Sequence, residues 1–161
     1  MRLNLDAISS IGSFHAVTDS VSRLQFEDYN QHTLERISSI QALEWIPHVL
    51  HAQRDDYESK AINDGLAGFK ITEKVNGKMV RASDRAEYFP VYYVEPIIGN
   101  EAAIGFDLAS NPARFAAIQK ARTTNSVVAT SRINLVQETA TQKGMLVFNP
   151  INKDEVFIGF S

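Results

Sequence analysis

The sequence predicts an α+β fold in which helices come first and an antiparallel sheet with one inserted helix follows. The first observation is a stripe of apolar residues at steps of mostly three and four in the first forty residues, which is typical of an amphipathic helix. The second is a change after residue 69 to short extended segments separated by polar turns. Because strands and helices do not alternate regularly, a doubly wound parallel sheet is disfavoured.

Length and composition indicate one folded domain. The 161 residues are 44% hydrophobic and 22% charged, which is enough to bury a sizeable core. A net charge of −3 with scattered lysines and arginines argues against a nucleic-acid partner. The absence of cysteine excludes disulfides, thiolate metal sites and a cysteine nucleophile. No apolar stretch reads as a membrane span or a signal peptide, and we expect the chain to be part of a longer protein.

The apolar stripe predicts one long N-terminal helix, interrupted by neither proline nor glycine except Gly12. Such a helix is longer than is usual in globular proteins, so we expect it to extend from the body or to pair with a second copy. The stripe consists of Leu3, Ile8, Ile11, Phe14, Val17, Val21 and Leu24, and it resumes with Leu34, Ile37 and Ile40.

A second helix is predicted from residue 38. Ser38 followed by Gln41 reads as a capping box, and Gly65 is the expected stop. Pro47 would loosen the first turns of this helix.

The second half of the chain predicts a sheet with one helix in it. The signals are "FKITE" (69–73), the turn "NGK" (76–78), "MVRA" (79–82) and "EYFPVYYVEP" (87–96), where Pro90 marks an edge, a bulge or an irregular entry. The helix is "SNPARFAAIQKARTTN", with Ser110 or Asn111 as its cap and Pro112 in its first turn. Four further strand candidates follow, namely "SVVATS", "INLVQ", "GMLVFNP" and "EVFIGF".

One group of possible metal ligands stands out in the second predicted helix. Glu44, His48, His51 and Asp55 follow at steps of four, three and four, which would place them on one helical face. The alternative, a solvated polar face broken near Pro47, is favoured because no supporting partners are visible. We expect neither a metal nor a cofactor.

Three carboxylates lie in the most apolar parts of the sequence, namely Glu95, Asp107 and Glu138. A desolvated pair of them could act as general acid and base. No nucleophile elbow, phosphate loop, dinucleotide fingerprint, zinc motif or calcium loop accompanies them, so an enzyme is disfavoured. Asp107 itself is open to three interpretations, which are a catalytic acid, a helix cap and the polar residue of an aromatic pocket.

Four stretches of the sequence form a recognisable series, namely "ALEWIPHVLHAQRDDYE" (42–58), "YFPVYYVEPIIGNEAAIGFDLASNPAR" (88–114), "ATSRINLVQE" (129–138) and "GMLVFNPI" (144–151). The most specific elements in them are "EWIP", "YFPV", "GNE" and "GFDL". In this order they resemble the CHASE domain, a sensor module found outside the cytoplasm in bacterial and plant receptor kinases, cyclases and cyclic-di-GMP enzymes. The resemblance covers essentially the whole chain.

The resemblance implies a single sensor domain over residues 1–161, with long stalk helices (1–64), a membrane-distal PAS-like region (65–150) and membrane-proximal strands (144–161). The apolar N-terminal stripe adds the prediction of a homodimer formed through the N-terminal helices. The domain would lie on the periplasmic or extracellular face of the cell membrane, anchored by flanking spans, with a kinase, cyclase or cyclic-di-GMP module on the cytoplasmic side.

The plant cytokinin receptors of this family hold an adenine-type ligand through an aspartate, with a threonine in the wall. The resemblance places the aspartate on Asp107 and the threonine on Thr139, with a ligand such as a purine-like ring or an amine. Because the run before Asp107 differs from that of the plant receptors, cytokinin itself is not predicted. The remaining wall would be formed by Tyr88, Tyr92, Phe106, Ala129 and Leu135.

Two other functions remain as alternatives. One is a dimerisation or protein-interaction module without a small-molecule ligand, in which the N-terminal stripe is the functional surface. The other is a small hydrolase that uses Asp107 or Glu138.

Overall fold

The structure, a computed structural model, describes residues 2–17, 20–134 and 143–161. The helices are α1 (Arg2–Val17), α2 (Arg23–Arg36), α3 (Arg54–Asn63) and α4 (Pro112–Thr124). The strands are β1 (Leu43–Pro47), β2 (Val49–Leu50), β3 (Thr72–Val75), β4 (Lys78–Arg81), β5 (Glu87–Tyr88), β6 (Tyr93–Glu95), β7 (Val128–Ala129), β8 (Ile133–Asn134), β9 (Lys143–Gly144), β10 (Val147–Phe148), β11 (Pro150–Lys153) and β12 (Val156–Phe160).

The largest sheet has four antiparallel strands in the order β11, β12, β1, β6. Its register pairs Ile46 with Phe160 and Leu43 with Glu95. Four two-stranded ladders accompany it, namely β2 with β5, β3 with β4, β7 with β10, and β8 with β9. The prediction of an α+β fold with antiparallel sheets is therefore confirmed.

Strand β1 contributes to two hydrophobic cores. Leu43 packs in a first cluster with residues of α1, α2, α3 and the loop after α3, including Ile11 and Phe26. Ile46 packs in a second cluster with Ile118 of α4 and residues of the segments on either side of it. The two clusters thus meet along one strand.

The prediction of one long N-terminal helix is wrong. Helix α1 has 16 residues and α2 has 14, and Ser22 begins α2 with a capping box to Gln25. The two helices pack on each other, since the Phe14 ring stacks on the Tyr29 ring at 4.4 Å between centroids. The apolar spacing continues across the break, so periodicity alone does not reveal it.

The second predicted helix is wrong over its first half. Residues from Leu43 to Leu50 form β1 and β2, and the α-helix begins at Arg54. Ser38 lies in a turn that leads into β1 instead of a helix, because the backbone of β1 pairs with β6 and β12. Glu44 and His48 therefore do not share a helical face with Asp55. Within the described ranges, no group of three or more His, Asp or Glu residues could hold a metal.

Predictions based on local signals are confirmed. Asn76 and Gly77 both have positive φ, 50° and 78°, as the tight turn between β3 and β4 requires. Asn111 caps α4 by accepting from the Arg114 N–H at 3.1 Å. Strand β11 was not predicted from the sequence; it pairs with β12 through a turn at Asp154 and Glu155.

No helix in the described parts of the chain is long and apolar enough to cross a membrane.

Replacing Ser22 by alanine tests the break between α1 and α2. Ser22→Ala removes the acceptor for the Gln25 N–H, and we expect a loss of about 1 kcal/mol in the free energy of unfolding, measured with urea. Ser38→Ala is the matched control, since Ser38 precedes no helix. Equal losses in the two variants would contradict the helix boundaries given above.

His15 gives the fold a pH dependence. It is buried, its ring stacks on Trp45 at 4.2 Å, and burial lowers its pKa from 6.5 to about 4. As pH falls from 6.5 to 4, the unfolded chain takes up a proton that the folded chain does not. The free energy of unfolding should fall by about 1.4 kcal/mol per pH unit, or about 3 kcal/mol in total.

His15→Phe should remove this component of the pH dependence when unfolding is measured by urea titration at several pH values. The control is His32→Phe, because the His32 side chain is 88% exposed. The interpretation fails if His15→Phe keeps the wild-type slope between pH 4 and 6.5.

Candidate functional site

Asp107 is held in place by the backbone on both sides of it. Its N–H donates to the Thr72 carbonyl at 2.8 Å, and the Gly105 N–H donates to the Val91 carbonyl at 2.8 Å. Gly105 has φ +83°, and a Cβ there would lie 2.2 Å from the Lys70 carbonyl oxygen. Only glycine fits this position. The glycine of the "GFDL" motif thus allows the close backbone packing that places Asp107 in the interior.

The Asp107 carboxylate is fully buried, at 0% exposure. Its Oδ1 atom accepts from the Phe89 N–H at 2.8 Å and from the Ala109 N–H at 3.1 Å. The second bond caps the short 3₁₀ turn Leu108–Ser110. Asp107 is thus a helix cap, although of this turn and not of α4.

The other carboxylate oxygen of Asp107 is paired with an arginine. Arg85 Nη1 donates a hydrogen bond to Asp107 Oδ2 at 2.7 Å. Arg85 Nη2 donates hydrogen bonds to Glu73 Oε2 and Ser83 Oγ. The Arg85 side chain is 26% exposed, whereas that of Asp107 is not exposed at all. Burial raises the pKa of Asp107, and the Phe89 N–H and the Arg85 charge oppose this rise.

A second polar group lies unpaired beside this network. The Thr72 hydroxyl is buried and has no hydrogen-bond partner within the described residues. The Thr72 carbonyl accepts a hydrogen bond from the Asp107 N–H. Thr72 also pairs with Phe106 in an isolated parallel β-bridge. Unpaired buried hydroxyls are rare in folded proteins, so this one distinguishes the neighbourhood of Asp107.

Tyr88 and Phe106 lie next to the Asp107 network. Tyr88 is fully buried, and its hydroxyl accepts from Arg54 Nη1 at 3.1 Å and from the Arg85 N–H at 3.2 Å. Phe106 directly precedes Asp107, and the Arg114 guanidinium lies 5.2 Å from its ring centroid.

Two other predicted pocket residues lie elsewhere, and the remaining two are not described. The Tyr92 hydroxyl donates to Asp64, just after α3, at 2.6 Å. Ala129 is exposed on β7 and pairs with Val147. Thr139 and Leu135 lie outside the described residues, as does Glu138.

Arg85, Glu73 and Thr72 were not singled out from the sequence. Arg85 and Asp107 are 22 residues apart, with no periodicity that connects them. The available signal was an arginine two residues before the aromatic stretch "EYF". It becomes informative only when the fold brings that strand against Asp107.

The carboxylates Glu95 and Asp107 have different surroundings. Burial raises the pKa of Glu95, and the nearby charge of Glu27 adds to the rise while Arg23 opposes it. The charged neighbour of Asp107 is Arg85. Among the described residues, the Asp107 carboxylate bonds Arg85, the Phe89 N–H and the Ala109 N–H, and not Glu95. These contacts give no support to an acid and base pair of Glu95 and Asp107.

A cavity of about 350 Å³ lies apart from Asp107, between α1, the entry to β1 and the segment around β10. None of the five described pocket residues named above is among its lining residues. The lining consists of Ile8, Ser39, Ile40, Gln41, Ala42, Leu43, Glu44, Ile46, Gly144, Met145, Leu146, Val147, Phe148 and Ser161.

Comparison with known proteins identifies the family of the chain. Residues 19–159 match the CHASE domain family, whose members are extracellular sensor domains of signalling receptors and not catalytic domains. No curated protein matches the chain. Since the match spans most of the sequence, including the "GFDL" motif and the Asp107 network, the chain belongs to the CHASE domain family.

Proposed function

We propose that this chain is the ligand-sensing domain of a transmembrane signalling receptor. The observation that carries the proposal is the Asp107 carboxylate, which is fully buried and has one oxygen held by the backbone and the other by a partly exposed arginine. A small molecule with a hydrogen-bond donor would take the place of Arg85 at Oδ2. The charge-assisted bond would orient the ligand, and aromatic burial would supply most of the affinity.

Ligand exchange at this position has a physical basis in the contacts of Arg85. When a ligand displaces the guanidinium from Asp107, Glu73 and Ser83 remain as its partners. The arginine therefore keeps a countercharge at the surface, and the buried carboxylate gains a new donor. The unpaired Thr72 hydroxyl next to the network offers the ligand a further hydrogen bond.

A purine-like ring or an amine fits this chemistry, since both carry N–H donors. Tyr88 and Phe106 would form part of the wall. The roles of Thr139, Leu135, Tyr92 and Ala129 in the wall remain predictions from the family resemblance.

We also propose that the domain lies outside the cytoplasm between two membrane spans, as a homodimer formed through the N-terminal helices. Exposed Leu5 on α1 and Leu24 on α2, at 38% and 62% exposure, support such a contact. Other parts of the stripe pack within the chain, because Ile11 is buried in the first core. Ligand binding would have to favour one helix arrangement over another in order to signal.

The division into a distal and a proximal PAS-like part, with bounds 65–150 and 144–161, belongs to the same proposal. The two hydrophobic cores do not follow these bounds, because residues between 65 and 150 pack in both and the second core also contains Phe160. An interaction module without a ligand remains the alternative, favoured by the exposed Leu5 and Leu24. It would form concentration-dependent dimers and show no thermal shift with any metabolite.

A thermal-shift screen of nucleobases, amines and small organic acids tests the role of Asp107. A ligand at a hundred times its dissociation constant should add about 2.7 kcal/mol to the free energy of unfolding. Asp107→Asn keeps the shape but removes the charge, so we expect the shift to disappear. Glu101→Gln is the control, because Glu101 is exposed. An unchanged affinity in Asp107→Asn would remove this residue from the pocket.

Replacing Arg85 tests the exchange step directly. In Arg85→Met no guanidinium competes for Asp107 Oδ2, so a cationic ligand found in the screen should bind about tenfold more tightly by calorimetry. The variant should also lose about 2 kcal/mol of stability, because a buried carboxylate loses its partner. Arg85→Lys keeps the charge and should bind nearly as the wild type does. Weaker binding by Arg85→Met would mean that the arginine holds the ligand instead of competing with it.

A further inference from the structure

The cavity between α1 and β10 lies where the two hydrophobic cores meet. Leu43 belongs to the first core, and Ile46 and Phe148 belong to the second, yet all three line the cavity. Its volume of about 350 Å³ is within the range of small-molecule sites. Most of its lining is apolar, so it suits a molecule with an apolar body.

Glu44 is the one ionisable side chain among the described lining residues. It lies on β1, paired with Val94 of β6, and it is partly buried. A carboxylate at the edge of an apolar cavity attracts a cationic donor, and reduced contact with water strengthens that attraction.

A buried arginine adjoins Glu44 from the side of α4. Arg114 is 4% exposed. Burial lowers its pKa and the charge of Glu44 opposes this effect, so the two charges lie close enough to interact. Within the described structure the Arg114 Nε has no hydrogen-bond partner, while its Nη2 donates to the Asn134 carbonyl at 2.9 Å. Glu44 thus lines the cavity and also interacts with the Arg114 charge.

The cavity also borders the contact between the first helix and the last strand. The Ile8 carbonyl accepts from Asn149 Nδ2 at 3.3 Å and from Ser161 Oγ at 3.2 Å. Asn149 and Ser161 exchange backbone hydrogen bonds at 2.9 and 3.0 Å. Both Ile8 and Ser161 line the cavity, so a bound molecule would touch α1 and the residue after β12 together.

We propose that this cavity binds an apolar molecule carrying one amine group, with Glu44 as the acceptor, and that occupancy holds α1 against the end of the last strand. This site is separate from Asp107, and the inference does not depend on the role proposed for that residue. Apolar contacts with Leu43, Ile46 and Phe148 supply affinity, and Glu44 selects the amine.

Calorimetry with three probes that share a phenyl group tests the proposal on the full chain at neutral pH. The probes are 2-phenylethylamine, 2-phenylethanol and 3-phenylpropanoate. We expect the amine to bind most tightly and the carboxylate most weakly, with a difference of about tenfold or more. Absence of amine binding, or carboxylate binding as tight as that of the amine, would overturn the proposal.

Two variants assign the binding to this cavity. Glu44→Gln should weaken amine binding about tenfold and leave the alcohol nearly unchanged. Glu95→Gln is the matched control, because Glu95 lies on the neighbouring strand of the same sheet and is not among the described lining residues. If Glu95→Gln or Asp107→Asn abolishes amine binding and Glu44→Gln does not, the site lies elsewhere and the proposal is wrong.

A cavity-filling variant and hydrogen exchange complete the test. Ala42→Trp places a large ring in the cavity and should abolish binding of amine and alcohol alike, with a melting temperature to confirm folding. Even if this variant does not fold, Glu44→Gln decides the assignment. With the amine bound, the backbone amides of α1 around Ile8 should exchange more slowly, because α1 is held more firmly against Asn149 and Ser161. Exchange in α1 that does not change would contradict the effect on the helix contact.

Discussion

The arrangement of the site depends on a carboxylate that has no contact with water. A buried charge without partners costs several kcal/mol, so the segments around Asp107 are placed to satisfy it. The loop before α4 supplies the Ala109 N–H, the aromatic segment supplies the Phe89 N–H, and the segment before β5 supplies Arg85. One side chain thus determines how these parts of the chain meet.

Strand β1 has a comparable role for the two cores. Its two partners, β6 and β12, come from distant parts of the sequence, and its side chains enter both clusters. The cavity beside Glu44 is lined by residues of both cores, so it lies where the two cores meet along β1.

Local chemistry could be predicted from the sequence, whereas long-range pairing could not. The Asn76–Gly77 turn and the Asn111 cap depend on a few adjacent residues, and both are found where expected. By contrast, the segment around Trp45 has apolar spacing compatible with a helix, and its pairing with β6 and β12 makes it a strand. The resemblance predicts Asp107 as a pocket residue, which stays a prediction, and the pairing of Asp107 with Arg85 joins residues that no sequence pattern connects.

The surroundings of Asp107 include the exposed hairpin of β3 and β4. Glu73 on β3 anchors Arg85, yet no residue of β4 is buried and the turn at Asn76 is exposed. Substitutions at exposed positions usually change stability little. Lys78 to Val80 pair with Glu73 to Val75 and belong to neither core, so mutations there change the surroundings of Glu73 and leave both cores intact. If Asp107 holds a ligand as proposed, such mutations also affect the arginine that competes with that ligand.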